Sequence, residues 1–150
     1  MRKIILLLSI LAATGSLSQA QKINPKNLNT VIAWSATGKD ANFRKAVAAC
    51  ISQGFGIHYS DIDIGVITTT HKPITGSSSA MLNIIATDST VIFRGQLLMS
   101  VSIDIGSVTA EASPSEIKNK GQKGSPMREN WNAIEAVARE VGDSLTYEIR

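Results

Sequence analysis

The chain has 150 residues, 43% hydrophobic and 18% charged, with 15 Lys and Arg against 12 Asp and Glu. That length fits one domain around one core, and over residues 21–150 the balance of 13 basic to 12 acidic side chains argues against a nucleic-acid-binding or other polyanion-binding protein. The single cysteine, Cys50, excludes an intramolecular disulfide, so the fold has to rest on apolar burial.

Residues 1–20 carry the three parts of a secretory signal in order. Arg2 and Lys3 form a positive start, Ile4 to Thr14 form an apolar run broken only by Ser9, and Ser18-Gln19-Ala20 places small residues where a signal peptidase reads them. Cleavage is expected after Ala20, leaving 130 residues with 13 basic and 12 acidic side chains. The apolar run is about eleven residues, whereas a spanning helix needs roughly 20, so no stable membrane insertion is expected once it is removed. Lipid anchoring would need a cysteine at the cleavage site, and Cys50 lies far downstream. The absence of an Asn-x-Ser/Thr acceptor is consistent with a bacterial source, so the expected location is secreted or periplasmic.

Residues 21–30 are polar, contain Pro25 and read as a flexible lead-in to a domain over 31–150. Val31 to Ser35, with two β-branched residues and Trp34, predicts a strand. Asp40 is a good N-cap for a helix over about 41–53, in which Phe43, Val47, Cys50 and Ile51 share a face. Gly54 is the expected left-handed stop, with Phe55 folding back on the last turn. From Ile57 to Thr70 the chain turns β-like around Ser60-Asp61, and Pro73 with Gly76 to Ser79 makes the next turn. Met81 to Ala86 and Val91 to Val101 predict a hairpin around Thr87-Asp88-Ser89, although the alternation in the second strand does not decide which face is buried. Residues 106–125 form the longest irregular stretch. Ser125 then caps a helix with Pro126 at its first position, and Met127, Trp131, Ile134, Ala138, Val141 and Leu145 run down one stripe.

This order predicts an α+β fold, an antiparallel sheet of four to five strands with two helices packed on one face, in the sequence β-α-β-β-β-(β)-α. The stretch from Phe43 to Thr70, FRKAVAACISQGFGIHYSDIDIGVITTT, and the closing WNAIEAVAREVGDSLTYEIR resemble small bacterial envelope proteins. In layout they are similar to the helix-grip domains of the outer-membrane assembly lipoprotein BamC. What the resemblance implies is a helix-grip sheet in an envelope compartment, with no catalytic or ligand residues to carry over.

Residue chemistry offers several candidates, each beside a plainer role. Cys50 with His58 or His71 has the residue types of a thiol nucleophile and base, yet Cys50 falls on the apolar helix stripe where small buried cysteines are common. Asp61 and Asp63 ahead of Gly65 have part of a calcium-loop spacing, but Thr70, Lys72 and Pro73 occupy the region where a glutamate is needed, which favours a turn bonded to nearby amides. His58 and His71 lack a third ligand at metal-site spacing, so no metal or other cofactor is expected. The segment Ile62 to Thr68 nearly recurs at Ile103 to Thr109, too few copies for a repeat array. Lys118, Lys120, Lys123 and Arg128, among Gly121, Gly124 and Ser125 at the head of the last helix, form a possible anion- or partner-binding group, or an ordinary solvated loop.

The function expected is therefore a non-enzymatic binding or interaction domain of the cell envelope, contacting another envelope protein or a surface ligand. One alternative is a small hydrolase or ligand-processing enzyme using His58, His71, Asp61 and Asp63. The other is a structural homo-oligomer joined through sheet edges.

Overall fold

The computed structural model describes residues 26–100 and 113–150, so the signal-like start, residues 21–25 of the lead-in, the Ile103 to Thr109 near-repeat and the first part of the long loop lie outside the described residues. The chain runs β1 (Thr30–Trp34), α1 (Lys39–Ser52), β2 (Ile57–Asp61), β3 (Val66–Thr69), β4 (Lys72–Thr75), β5 (Ser78–Ala86), β6 (Thr90–Met99), β7 (Ser115–Glu116), α2 (Pro126–Val141) and β8 (Ser144–Glu148). It is an α+β fold with an open antiparallel sheet and two helices. The sheet has eight strands rather than the four to five expected.

The sheet order is β2-β3-β5-β6-β1-β8. The long hairpin β5–β6 is its spine, paired from Ser78↔Met99 to Ala86↔Val91. Short strands double up along each side of it. β3 pairs with Val66↔Ile85 to Thr68↔Asn83 while β4 takes the other end of β5, and β1 and β7 divide the outer side of β6 in the same way. This division accounts for most of the extra strands. The chain breaks at Thr70-His71 and resumes pairing, and Pro73, expected in a turn, sits inside β4.

The hairpin register settles the alternation of β6. Val91, Phe93, Gly95 and Leu97 face the helices and are buried, as are Ala80, Leu82, Ile84 and Ala86 opposite them. Each large side chain buried there contributes roughly 1.5–3 kcal/mol. Helix α1 presents Phe43, Ala46, Ala49 and Cys50 to this core, but Ile51 is 60% exposed and leaves the predicted stripe. The N-cap is Gly38, with Asp40 in the first turn instead of the cap. The predicted stop holds: Gly54 has φ 76, its N–H reaches Ile51 O at 2.9 Å and Phe55 N–H reaches Cys50 O at 2.8 Å, the paired bonds of a Schellman end.

Helix α2 begins as the sequence predicts, with Ser125 Oγ accepting from Arg128 N and Pro126 in the first turn. Trp131, Ile134, Val137, Ala138 and Val141 are buried along it. The helix stops at Val141, however, and Leu145 belongs to β8, paired with Ala33 on β1. Tyr147 on β8 packs its ring 6.0 Å from that of Trp131.

Candidate anion-binding cleft

The segment leading to α2 is fastened from both sides. Ile117 is fully buried and its N–H reaches Gly95 O at 2.9 Å, Asn119 N–H reaches Leu28 O at 2.7 Å, and Asn27 N–H reaches Asn119 O at 3.0 Å. These bonds draw Lys26 and Asn27 beside the loop that precedes α2. The result is a cleft of about 540 Å³ lined by Lys26, Lys120, Lys123, Arg128, Asn119 and Glu129, among others. Three of the four basic residues singled out in the sequence, Lys120, Lys123 and Arg128, therefore come together. Lys118 does not line the cleft; its Nζ pairs with Glu116 at 3.4 Å.

Four cations face one carboxylate there. Both oxygens of Glu129 are engaged, Oε1 accepting from Gly124 N–H at 2.8 Å and Oε2 from Asn132 at 3.4 Å. None of Lys26, Lys120, Lys123 and Arg128 forms a salt bridge among the described residues. The head of α2 adds the partial positive charge of the helix dipole. Asn119 is 5% exposed, and Arg128 Nη1 donates to its Oδ1, which leaves Nδ2 as the end without a partner among the described residues. Chemically the cleft offers charge-assisted and neutral donors to an anion.

Sequence reasoning missed Lys26 and Asn119. Lys26 lies in a polar lead-in with no local pattern, and only the backbone bonds of Asn27 and Asn119 place it beside the loop. Asn119 carries no signal of its own beyond an asparagine in a polar run.

The other candidates are not brought together into a catalytic set. Cys50 is wholly buried, and its thiol is pushed up to about 12, first by burial and then by the charge of Glu140. His58 on β2 and His71 between β3 and β4 are both exposed. Asp61 Oδ1 accepts from the amides of Asp63 at 2.9 Å and Ile64 at 3.2 Å, so it closes the turn into β3. No group of three His, Cys, Asp or Glu side chains able to hold a metal occurs among the described residues.

The sheet face opposite the helices carries Ile32, Val66, Ile85 and Ile92 in one cross-strand row, with Trp34 48% exposed and Tyr59 49% exposed on the same face. Trp34 Nε1 donates to Thr146 Oγ1 at 3.2 Å, which ties the indole to β8. No helix among the described residues is long and apolar enough to cross a membrane.

No family model, no curated protein and no solved structure matches this chain.

Proposed function

We propose that this chain is a non-enzymatic binding domain exported to the bacterial cell envelope, and that its basic cleft takes an anionic group carried by an envelope partner or surface ligand. The observation that supports this reading is the convergence of Lys26, Lys120, Lys123 and Arg128 from the lead-in, the loop and α2 on one cleft. Building it takes tertiary hydrogen bonds between segments far apart in sequence, which a merely solvated lysine loop does not need. Export rests on the charge, apolar run and small residues of positions 1–20. The helix-grip likeness belongs to the same reading, supported by α2 packing over an antiparallel sheet. A binding rather than catalytic role draws support from Cys50, whose buried thiol is far from the ionised form a nucleophile needs.

The test compares residues 21–150 with the Lys26→Glu, Lys120→Glu, Lys123→Glu variant in binding to anionic vesicles and to phosphorylated and sulfated glycans. The native protein is expected to bind at least one of these, more weakly as salt rises, and the variant to lose it. Equal binding by both proteins contradicts the assignment. N-terminal sequencing of the exported product is expected to begin at Gln21, and a cytosolic product that keeps Met1 contradicts export.

A further inference from the structure

The ligand class follows from the balance and origin of the donors, and this step rests on the anion-cleft reading above. We infer that the cleft is built for a dianionic tetrahedral oxyanion, the terminal phosphate of a phosphomonoester, rather than for a carboxylate. Charge is the first reason. Lys26, Lys120, Lys123 and Arg128 outnumber Glu129, whose oxygens already accept from Gly124 and Asn132. A carboxylate leaves most of that excess uncompensated, whereas a phosphomonoester brings about −1.5 to −2.

The origin of the donors is the second reason. Arg128 comes from the helix, Lys120 and Lys123 from the loop and Lys26 from the lead-in beside it, so the cations reach the cleft from three segments of the chain. A planar carboxylate is matched by a single guanidinium fork, but here one edge of the Arg128 guanidinium is already given to Asn119 Oδ1. With Oδ1 engaged by Arg128, the Asn119 amide has Nδ2 as the donor it can offer a ligand oxygen. The third reason is size. A cleft of about 540 Å³ accommodates the phosphate and part of whatever carries it. The carrier is either a soluble phosphomonoester or a lipid headgroup bearing the same group.

Calorimetry on residues 21–150 with methyl phosphate, dimethyl phosphate and acetate tests the inference. Methyl phosphate is expected to bind at least roughly tenfold more tightly than the two monoanions, the size of one or two charge-assisted hydrogen bonds. Its affinity is expected to rise between about pH 5 and pH 7 as the second ionisation near 6 completes. Asn119→Asp is expected to abolish binding. Because that residue is buried, Lys120→Gln and Lys123→Gln serve as surface variants, each expected to weaken methyl phosphate several-fold without moving the melting temperature. Vesicles of phosphatidylcholine with phosphatidic acid, set against phosphatidylcholine with phosphatidylglycerol, distinguish the source. Preference for phosphatidic acid assigns a lipid headgroup, and binding of methyl phosphate alone assigns a soluble ligand. Acetate binding as tightly as methyl phosphate, with that binding lost in Lys120→Glu, overturns the phosphate inference and leaves an anion cleft. Failure of every anion to bind overturns both.

Discussion

Gly65 and Ala86 meet backbone to backbone: Ala86 N–H donates to Gly65 O at 2.7 Å, and a Cβ on Gly65 would stand 2.4 Å from Ala86 O. Gly65 also has φ 74, where side chains are disfavoured. The β2–β3 turn, closed by Asp61, is held against the end of the central hairpin through this contact. Gly65→Ala is expected to cost about 2–4 kcal/mol, from backbone strain together with the clash. Gly76, in the β4–β5 turn with nothing within 4 Å of its added Cβ, is the control, and Gly76→Ala is expected to stay within about 0.5 kcal/mol. Urea unfolding of the two variants checks the difference, and similar midpoints would contradict it.

A second fastening runs through Asn42. This side chain is fully buried, donates to Ser35 O and Thr87 O at 2.8 Å each, and accepts from Thr37 Oγ1 at 2.8 Å. It joins the β1–α1 loop to the tip of the β5–β6 hairpin. Asn42→Ala leaves two carbonyls without that donor and is expected to cost about 2–3 kcal/mol by chemical denaturation. Asn42→Asp is expected to be at least as damaging, because it replaces the donor with a buried charge beside those carbonyls. A neutral Asn42→Ala would show that the loops hold without it.

Cys50 gives a pH signature. Its thiol titrates near 9.0 when free and is pushed up to about 12 in the fold, so between those values the folded state holds a proton that the unfolded state has released. The stabilisation is complete below about pH 9 and falls as the pH climbs towards 12. Tyr147, raised chiefly by burial, acts in the same direction at high pH, so the comparison has to be between variants. Cys50→Ala is expected to flatten the alkaline loss of stability. Thiol reagents are expected to label native Cys50 only after unfolding. Rapid labelling of the native protein would mean that the thiol is accessible.

Trp131 is buried against Tyr147, yet its indole N–H has no partner among the described residues. Trp131→Phe therefore removes an unpaired buried donor along with some volume, and is expected to cost less than about 2 kcal/mol. Trp131→Ala empties the site and is expected to cost about 3–5 kcal/mol. Equal losses in the two variants would indicate that the indole N–H is satisfied in solution.

Local chemistry made much of the fold legible. The stop at Gly54, the cap at Ser125 with Pro126, and the hairpin around Asp88 each depend on residues within a few positions of one another, and each appears where the sequence puts it. The end of α2 was not legible in this way, because Leu145 continues the helical spacing of Trp131, Ile134, Ala138 and Val141. What ends the helix is tertiary: Gly142 packs so closely on β1 that an added Cβ would lie 2.5 Å from Trp34 O, and the chain leaves as β8 along β1. The two-residue β7 is likewise defined by its partner β6 rather than by its own composition. In the cleft, the loop lysines and Arg128 could be picked out because they cluster in sequence. The exchange of Lys118 for Lys26 could not, since it depends on Glu116 pairing with one lysine and on backbone bonds at Asn27 and Asn119 that bring in the other.

Chemical-shift mapping with methyl phosphate bears most directly on the cleft. Saturable shifts are expected at the Asn119 side-chain amide, the Gly121 amide and the Arg128 guanidinium, with Trp34 and Arg94 on the opposite sheet face unmoved. Shifts confined to Trp34 and Arg94, with the head of α2 silent, would contradict the assignment.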